Sequence, residues 1–381
     1  MAAARELPRE APSAGRRVLL WLVSVAAAAA LLILVARFGK IDLWPERVVL
    51  PRPWLLVAAC AVQLPYAGFR AARLRFALDR VVARASADAS PESPRRRLDW
   101  RVLHGSGLVS FPAVILLPFR LGEFTRPLLI TRAREPGVGF TESLSAIAVE
   151  RVVDALIVVA MLFVGLELAH LSVDDPETLS YIRGSGRIMA LTFVLALAAL
   201  IFGALEPAVL ERVVGAALPG RLGQRAAAAA HRMAATIAVL FDWRLSGPFL
   251  LWSAIYWGLT IFQLWLLMLA CGLELGFADA AVVVAVVGLS IQVPGGPAQA
   301  GSFQVGMALA LGLLTGPSEV DAASTFAALM YLLQLLGACV LALPGALLLG
   351  HHRRTSPDEG DRAAQASAAP SDVAVDPQSQ P

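Results

Sequence analysis

The sequence predicts an all-α integral membrane protein, and three observations carry that reading. Of its 381 residues, 57% are hydrophobic and 16% charged, well outside the balance of a water-soluble domain. Apolar stretches recur along nearly the whole length, with a mean hydropathy of +0.68. Arginine is gathered into a few short segments between those stretches, the pattern that fixes topology in a bilayer. Eight hydrophobic segments result: six full spans and two re-entrant hairpins of opposite direction, a plan that suggests an inverted repeat.

The first fifteen residues are small, polar and proline-containing, and predict a disordered N-terminal tail. Residues 16–352 form one polytopic membrane domain, and residues 353–381 a second disordered tail almost without large apolar side chains. The first span, Val18–Ala36, follows Arg16 and Arg17 and is longer than the apolar core of a cleavable leader, so it reads as an uncleaved anchor. The second is Trp54–Phe69. After it, arginines from Arg70 and Arg73 through Arg101 outnumber the acids, which places this loop, and with it both termini, on the cytoplasmic side.

Val102–Pro118 then lies between two basic segments that both belong to the cytoplasmic side. Interrupted by Gly105, Gly107 and Pro112, it predicts a hairpin that enters and leaves on that face. Leu144–Ala169, Ile188–Leu205, Pro248–Cys271 and Ala322–Leu349 are the other full spans. Ala280–Val293 and Ser302–Thr315 are each too short to cross comfortably. Flanked by acidic loops, they predict the second hairpin, entering from outside. The competing arrangement, eight plain crossings, would put the arginines from Arg120 to Arg134 outside. Residues 208–244 mix apolar residues with arginine and suit either an interfacial helix or a solvated connector.

Charge placed against and inside apolar helices points to function, because it is costly there. Arg120, Glu123 and Arg126 follow the first hairpin segment, and Glu150, Arg151 and Asp154 lie within the next span. On a helix starting near Thr141, Glu150 and Asp154 share a face at i, i+4 and Arg151 pairs with Asp154, leaving Glu150 to meet Arg120 or Arg126. Three arginines against three carboxylates balance, as a buried network requires. Arginine's planar fork suits phosphate oxygens, so this set reads either as a headgroup-binding site or as a network that ties the hairpin to the span. The PGGPAQAG run from Pro294 frees backbone amides at membrane depth, which makes Pro294, Pro297, Gly301, Ser302 and Gln304 candidates to line a path. A tight packing turn is the other reading.

The sequence offers no zinc-protease, nucleophile-elbow, P-loop or paired-cysteine motif, so no metal or cofactor is called and the chain reads as a non-enzyme. Cys60, Cys271 and Cys339 sit in apolar runs and read as small buried hydrophobes. The basic segments lack interleaved aromatics, which argues against nucleic acid. Six tryptophans near proposed span ends fit an aromatic belt.

Three sets of residues together carry a family resemblance: Arg120, Gly122, Glu123 and Arg126; Glu150, Arg151 and Asp154; and Pro294, Pro297, Gly301, Ser302 and Phe303. They resemble the motifs of the flippase-like family, also called the lysylphosphatidylglycerol synthase transmembrane family. Ala298 stands where the family usually has glycine, and Gln304 where it often has glutamate. The resemblance implies a multi-pass inner-membrane protein that moves a polar-headed lipid between leaflets, without the aminoacyl-transferring domain of lipid-modifying members. The implied partner is a membrane lipid: an aminoacylated phospholipid, a polyprenyl-phosphate-linked sugar or a polycyclic isoprenoid. A homo-oligomer or an envelope-enzyme partner stays open. Two other functions compete with transport: an intramembrane enzyme using Glu150 or Asp154 as base on a lipid phosphate, and a non-catalytic subunit of an envelope-assembly complex.

Overall fold

The structure is a computed structural model that describes residues 45–76, 78–79, 98–133, 138–169, 243–293 and 296–355, with scattered positions between 22 and 33 and between 180 and 223. Among the described residues every regular element is helical. In chain order these are α1 (Pro53–Ala72), α2 (Trp100–Leu116), α3 (Thr125–Arg132), α4 (Phe140–Leu168), α5 (Trp243–Ala270), α6 (Phe277–Ser290), α7 (Ser302–Leu314) and α8 (Val320–Thr355). Short 3₁₀ turns at Pro118–Phe124, Pro297–Gln299 and Pro317–Glu319 precede α3, α7 and α8.

By length and composition, Pro53–Ala72, Gly247–Ala270 and Pro317–Arg354 can each cross a membrane. Helix α4 is also long, at 29 residues, but carries Glu150, Arg151 and Asp154 in its middle. The spans anticipated from Trp54, Leu144, Pro248 and Ala322 are therefore helices; α1 and α8 reach beyond their expected bounds at both ends, while α4 and α5 start earlier than expected and end one residue sooner. Val18–Ala36, Ile188–Leu205 and the connector at 208–244 lie largely outside the described residues, as do most of both tails. Helix α8 continues through Thr355, so the start of the C-terminal tail, expected at 353, is helical.

Helices α1 and α5 run antiparallel. The Arg52 amide donates to the Ala270 carbonyl at one end, Gln263 bonds to Gln63 further along, and Arg73 lies beside Ser253 at the other. Proline at the first position starts α1, where its missing N–H costs nothing. Helices α2 and α8 are likewise antiparallel. Asp99, which caps α2 by accepting the Arg101 amide at 2.8 Å, meets His352 near the end of α8, while Phe111 packs with Ala338 midway along it. Helix α2 thus covers only half of α8.

The segment expected to enter and leave as a hairpin by itself, Val102–Pro118, is instead one continuous helix, α2, which runs through Gly105, Gly107 and Pro112, and the chain turns back only after it. A side chain at Gly122 would run into the Ala113 carbonyl, so only glycine lets the Pro118–Phe124 turn fold under the end of α2. Ile130 at the end of α3 then shares a core cluster with Val102 and Leu103 from the start of α2, so the hairpin returns to the level where it began. A second hairpin is made by α6 and α7, where Gly306 lies against Val287 and Ser290. Helix α6 packs on α4 through Gly165 beside Val282 and Gly288 beside Val158, and fills the main core with Val282, Val283 and Val287. The tips of the two hairpins, Pro118–Phe124 and Pro297–Gln299, touch each other.

Cysteine placement corrects the sequence expectation. Cys271 is buried, but Cys60 and Cys339 are exposed on the outer face of the bundle, where an apolar thiol suits lipid as well as core.

Candidate anion site between two hairpin tips

Arg73 is the centre of the site. Its guanidinium meets Asp154 with both ends of its fork, Nη1 to Oδ1 at 2.5 Å and Nη2 to Oδ2 at 2.6 Å, and Nη2 also reaches Glu150 Oε1 at 2.7 Å. It is fully buried, with the Tyr256 ring face 4.5 Å from its carbon centre. The Trp257 indole N–H donates to Asp154 Oδ1 at 3.1 Å. Sequence reading assigned Arg73 to the basic cytoplasmic loop. The structure moves it inside because α1 continues through Ala72 and carries this side chain back against α4 and α5.

The anticipated residues gather around that pair. Glu150 and Asp154 share a face of α4 as their spacing required. Arg126 reaches Glu150 at 3.5 Å and donates to the Ala71 carbonyl at 2.6 Å. Arg120 does not meet Glu150 and pairs instead with Glu123 at 2.5 Å, within its own turn. Arg151 lies between acids, 3.3 Å from Glu150, 3.4 Å from Glu123 and 3.8 Å from Asp154. Helix α4 begins at Phe140 on an extended Gly139, with no side-chain cap from Thr141.

Arg70, like Arg73, reads from the sequence as part of the basic cytoplasmic loop and not of the site. It lies one turn before Arg73, is 8% exposed, and stacks on Phe111 with its carbon centre 4.2 Å from the ring. Among the described residues no carboxylate lies within ion-pair distance of it. Counted with it, Arg70, Arg73, Arg120, Arg126 and Arg151 stand against Glu123, Glu150 and Asp154. Among the described residues the expected balance of three and three is replaced by an excess of two positive charges, because Arg70 and Arg73 join the set. Uncompensated charge this deep is unfavourable unless an anion or water meets it.

A cavity of about 680 Å³ opens onto this excess, walled by Arg70, Arg120, Glu123, Arg151 and Asp154 on one side and by Gln292 and Gln299 on the other. At the second hairpin the wall is thus made by Gln292 and Gln299. The anticipated Pro297, Gly301, Ser302 and Gln304 shape the turn behind it, and Pro294 lies outside the described residues. Gly301 has a positive φ of 88° and faces Ala28 and Leu31, where a side chain would clash. Gln304 accepts the Gly301 amide at 2.8 Å, and the Ser302 hydroxyl donates to the Gln299 carbonyl at 3.1 Å. Gln304 stands where the family often has glutamate and still caps α7, since the amide oxygen supplies the acceptor.

Among the described residues, three other than glycine have positive φ: Arg120 at 57°, and Ala298 and Gln299 at 59°. All three belong to the two touching tips. Side-chain-bearing residues pay for this conformation, and such strain collects at functional sites.

A smaller cavity of about 140 Å³ continues from the first, sharing Tyr66, Phe111, Tyr256, Trp257 and Gln334 as walls. Gln63 and Gln263 close its far side. No group of acids, histidines and cysteines suited to hold a metal ion is present among the described residues.

Neither a curated protein nor a solved structure matches this chain. The family model described as the lysylphosphatidylglycerol synthase TM region matches residues 20–348, most of the chain. With its membrane-crossing helices and this match, the chain is an all-helical, multi-pass membrane protein and belongs to the lysylphosphatidylglycerol synthase TM region family.

Proposed function

We propose that this protein is a lipid translocase of the inner membrane that takes an anionic headgroup between its two hairpin tips. The observation that carries the reading is a cavity wide enough for a phosphate and its substituents, lined by Arg70, Arg120 and Arg151 against Glu123 and Asp154. Guanidinium groups bind phosphate oxygens in pairs, and Arg70, which has no acid of its own among the described residues, is the group placed to do so. The remaining arginines are held in position by Glu123, Glu150 and Asp154.

In this reading α2 and α3 form a re-entrant hairpin from the cytoplasmic side and α6 and α7 one from outside, among six full spans with both termini cytoplasmic. Twenty residues of α1, about 30 Å of helix, separate the outer end from Arg73, so the arginines form the cytoplasmic mouth of the path. The enzyme alternative finds less support. Glu150 and Asp154 are both engaged by Arg73, and a carboxylate already accepting short bonds from guanidinium is a poor base.

Vesicles reconstituted with the pure protein and a tail-labelled anionic phospholipid test the proposal through the fraction of label reached by a membrane-impermeant quencher. Wild type should expose inner-leaflet label well above empty vesicles. Arg70→Gln should slow it ten- to hundredfold, the loss of one charge-assisted contact of about 1.5–3 kcal/mol. Rates equal to empty vesicles for every lipid class would reject transport.

A further inference from the structure

We infer that the smaller cavity receives an uncharged, hydroxyl-rich six-membered ring attached to the phosphate, so that the substrate is a phospho-linked cyclic polyol lipid and not an aminoacylated one. This rests on the translocase reading and names its substrate class. At about 140 Å³ the chamber is close to the size of a cavity that accepts one benzene-like ring. Its polar walls are amides, phenols and an indole, from Gln63, Tyr66, Tyr256, Trp257, Gln263 and Gln334, with the Thr260 hydroxyl turned to the Tyr256 carbonyl. None of the lining residues is charged.

That lining is poorly suited to an ammonium group, since the Phe111 and Tyr256 rings, which could attract a cation, already carry Arg70 and Arg73. An aminoacyl head would bring a positive charge past the arginines into a chamber without a carboxylate to answer it. Hydroxyls meet the opposite situation. Gln63 and Gln263 are each 6% exposed. Gln263 Nε2 donates to Gln63 Oε1 at 2.7 Å and to the Ala59 carbonyl at 2.8 Å. This leaves the Gln63 NH₂ group and the Gln263 carbonyl without a protein partner among the described residues. One donor and one acceptor, on two buried residues that line the chamber, therefore await a group that can do both, which is what a hydroxyl offers. Tyr66 and Tyr256 stack with ring centroids 5.1 Å apart and present flat faces suited to the C–H side of a saturated ring.

The chamber and the free arginine are in line. Gln63, Tyr66 and Arg70 are spaced i, i+3, i+7 on one face of α1, a rise of about 10 Å that leaves room for a phosphate ester and one ring between the outer two. Phosphate at Arg70 places the ring at Tyr66 and its far hydroxyls at the glutamine pair.

Native mass spectrometry of the detergent-solubilised full chain tests the assignment with phosphatidylinositol, a polyprenyl phosphohexose, phosphatidylglycerol and lysyl-phosphatidylglycerol offered together. At least one ring lipid should be retained tenfold or more over both glycerol lipids, and Gln263→Leu should bring that ratio to within twofold. Should Gln263→Leu not yield a monodisperse protein, Gln334→Leu on the opposite wall is measured in its place. Which ring lipid wins identifies the source, and competition by myo-inositol 1-phosphate or hexose 1-phosphate alone would instead assign a soluble guest and overturn the lipid assignment. Equal or stronger retention of either glycerol lipid overturns the ring assignment. A ring preference without lipid movement in vesicles would reject transport while leaving the assignment standing.

Discussion

Arg73 occupies a position where either partner's loss is expensive. Its charge is balanced chiefly by Glu150 and Asp154, and theirs largely by it, with the guanidinium fully buried. Arg73→Met should therefore cost about 3–5 kcal/mol, read as a lower midpoint of SDS unfolding in mixed micelles. Adding Asp154→Asn to that variant should recover part of the loss, because the two effects share one contact. A midpoint unchanged by Arg73→Met would show the pair to be unimportant for the fold. Asp154 and Glu150 could be placed together from spacing alone, since a helix fixes which residues share a face. Arg73 could not, because in the sequence it is one of several arginines just past an apolar run, indistinguishable from a flanking anchor. Gln63, Tyr66 and Arg70 were within reach: one polar stripe at helical spacing along an otherwise apolar helix is a signal of an interior face.

The joint between α2 and α8 depends on Asp99, which caps one helix and contacts the other. Partial burial pushes its carboxyl pKa upward, but the Arg101 amide and then His352 outweigh this and hold it below the ordinary carboxylate range. A depressed folded-state pKa gives stability that is present above the ordinary value and lost as pH falls through the folded one. The thermal midpoint should accordingly fall in acid below about pH 4. Asp99→Asn, which still caps, should flatten that fall, and Asp99→Ala should in addition lose about 0.5–2 kcal/mol at neutral pH. A wild-type midpoint independent of pH between 3 and 6 would remove the electrostatic part of the joint. That the short helices are too short to cross was legible from their length, but the glycines and proline of residues 102–118 were misleading, since α2 runs through them unbroken. Their partners were not legible: nothing in residues 102–118 says that the C-terminal half of a helix more than 200 residues away will cover them.

For the molecule as a whole, direction of entry is the decisive property. If the α2–α3 hairpin returns to the cytoplasmic face, a cysteine placed at Arg132 in a background lacking Cys60, Cys271 and Cys339 should react with an impermeant maleimide only in inside-out vesicles. Labelling in intact cells would replace the hairpin by two crossings. Composition alone made the membrane class plain, and arginine distribution gave a topology, because both are sums over many residues. The two cavities were illegible, since each is a gap between helices whose packing no single segment specifies.

The contact between the hairpins has one more property. Arg120, Ala298 and Gln299 hold left-handed backbone where the two tips touch, each at a cost of roughly 1 kcal/mol or more. Both hairpins therefore carry backbone tension at the place where they meet, and at residue 298 an alanine bears it without the freedom a glycine would have there.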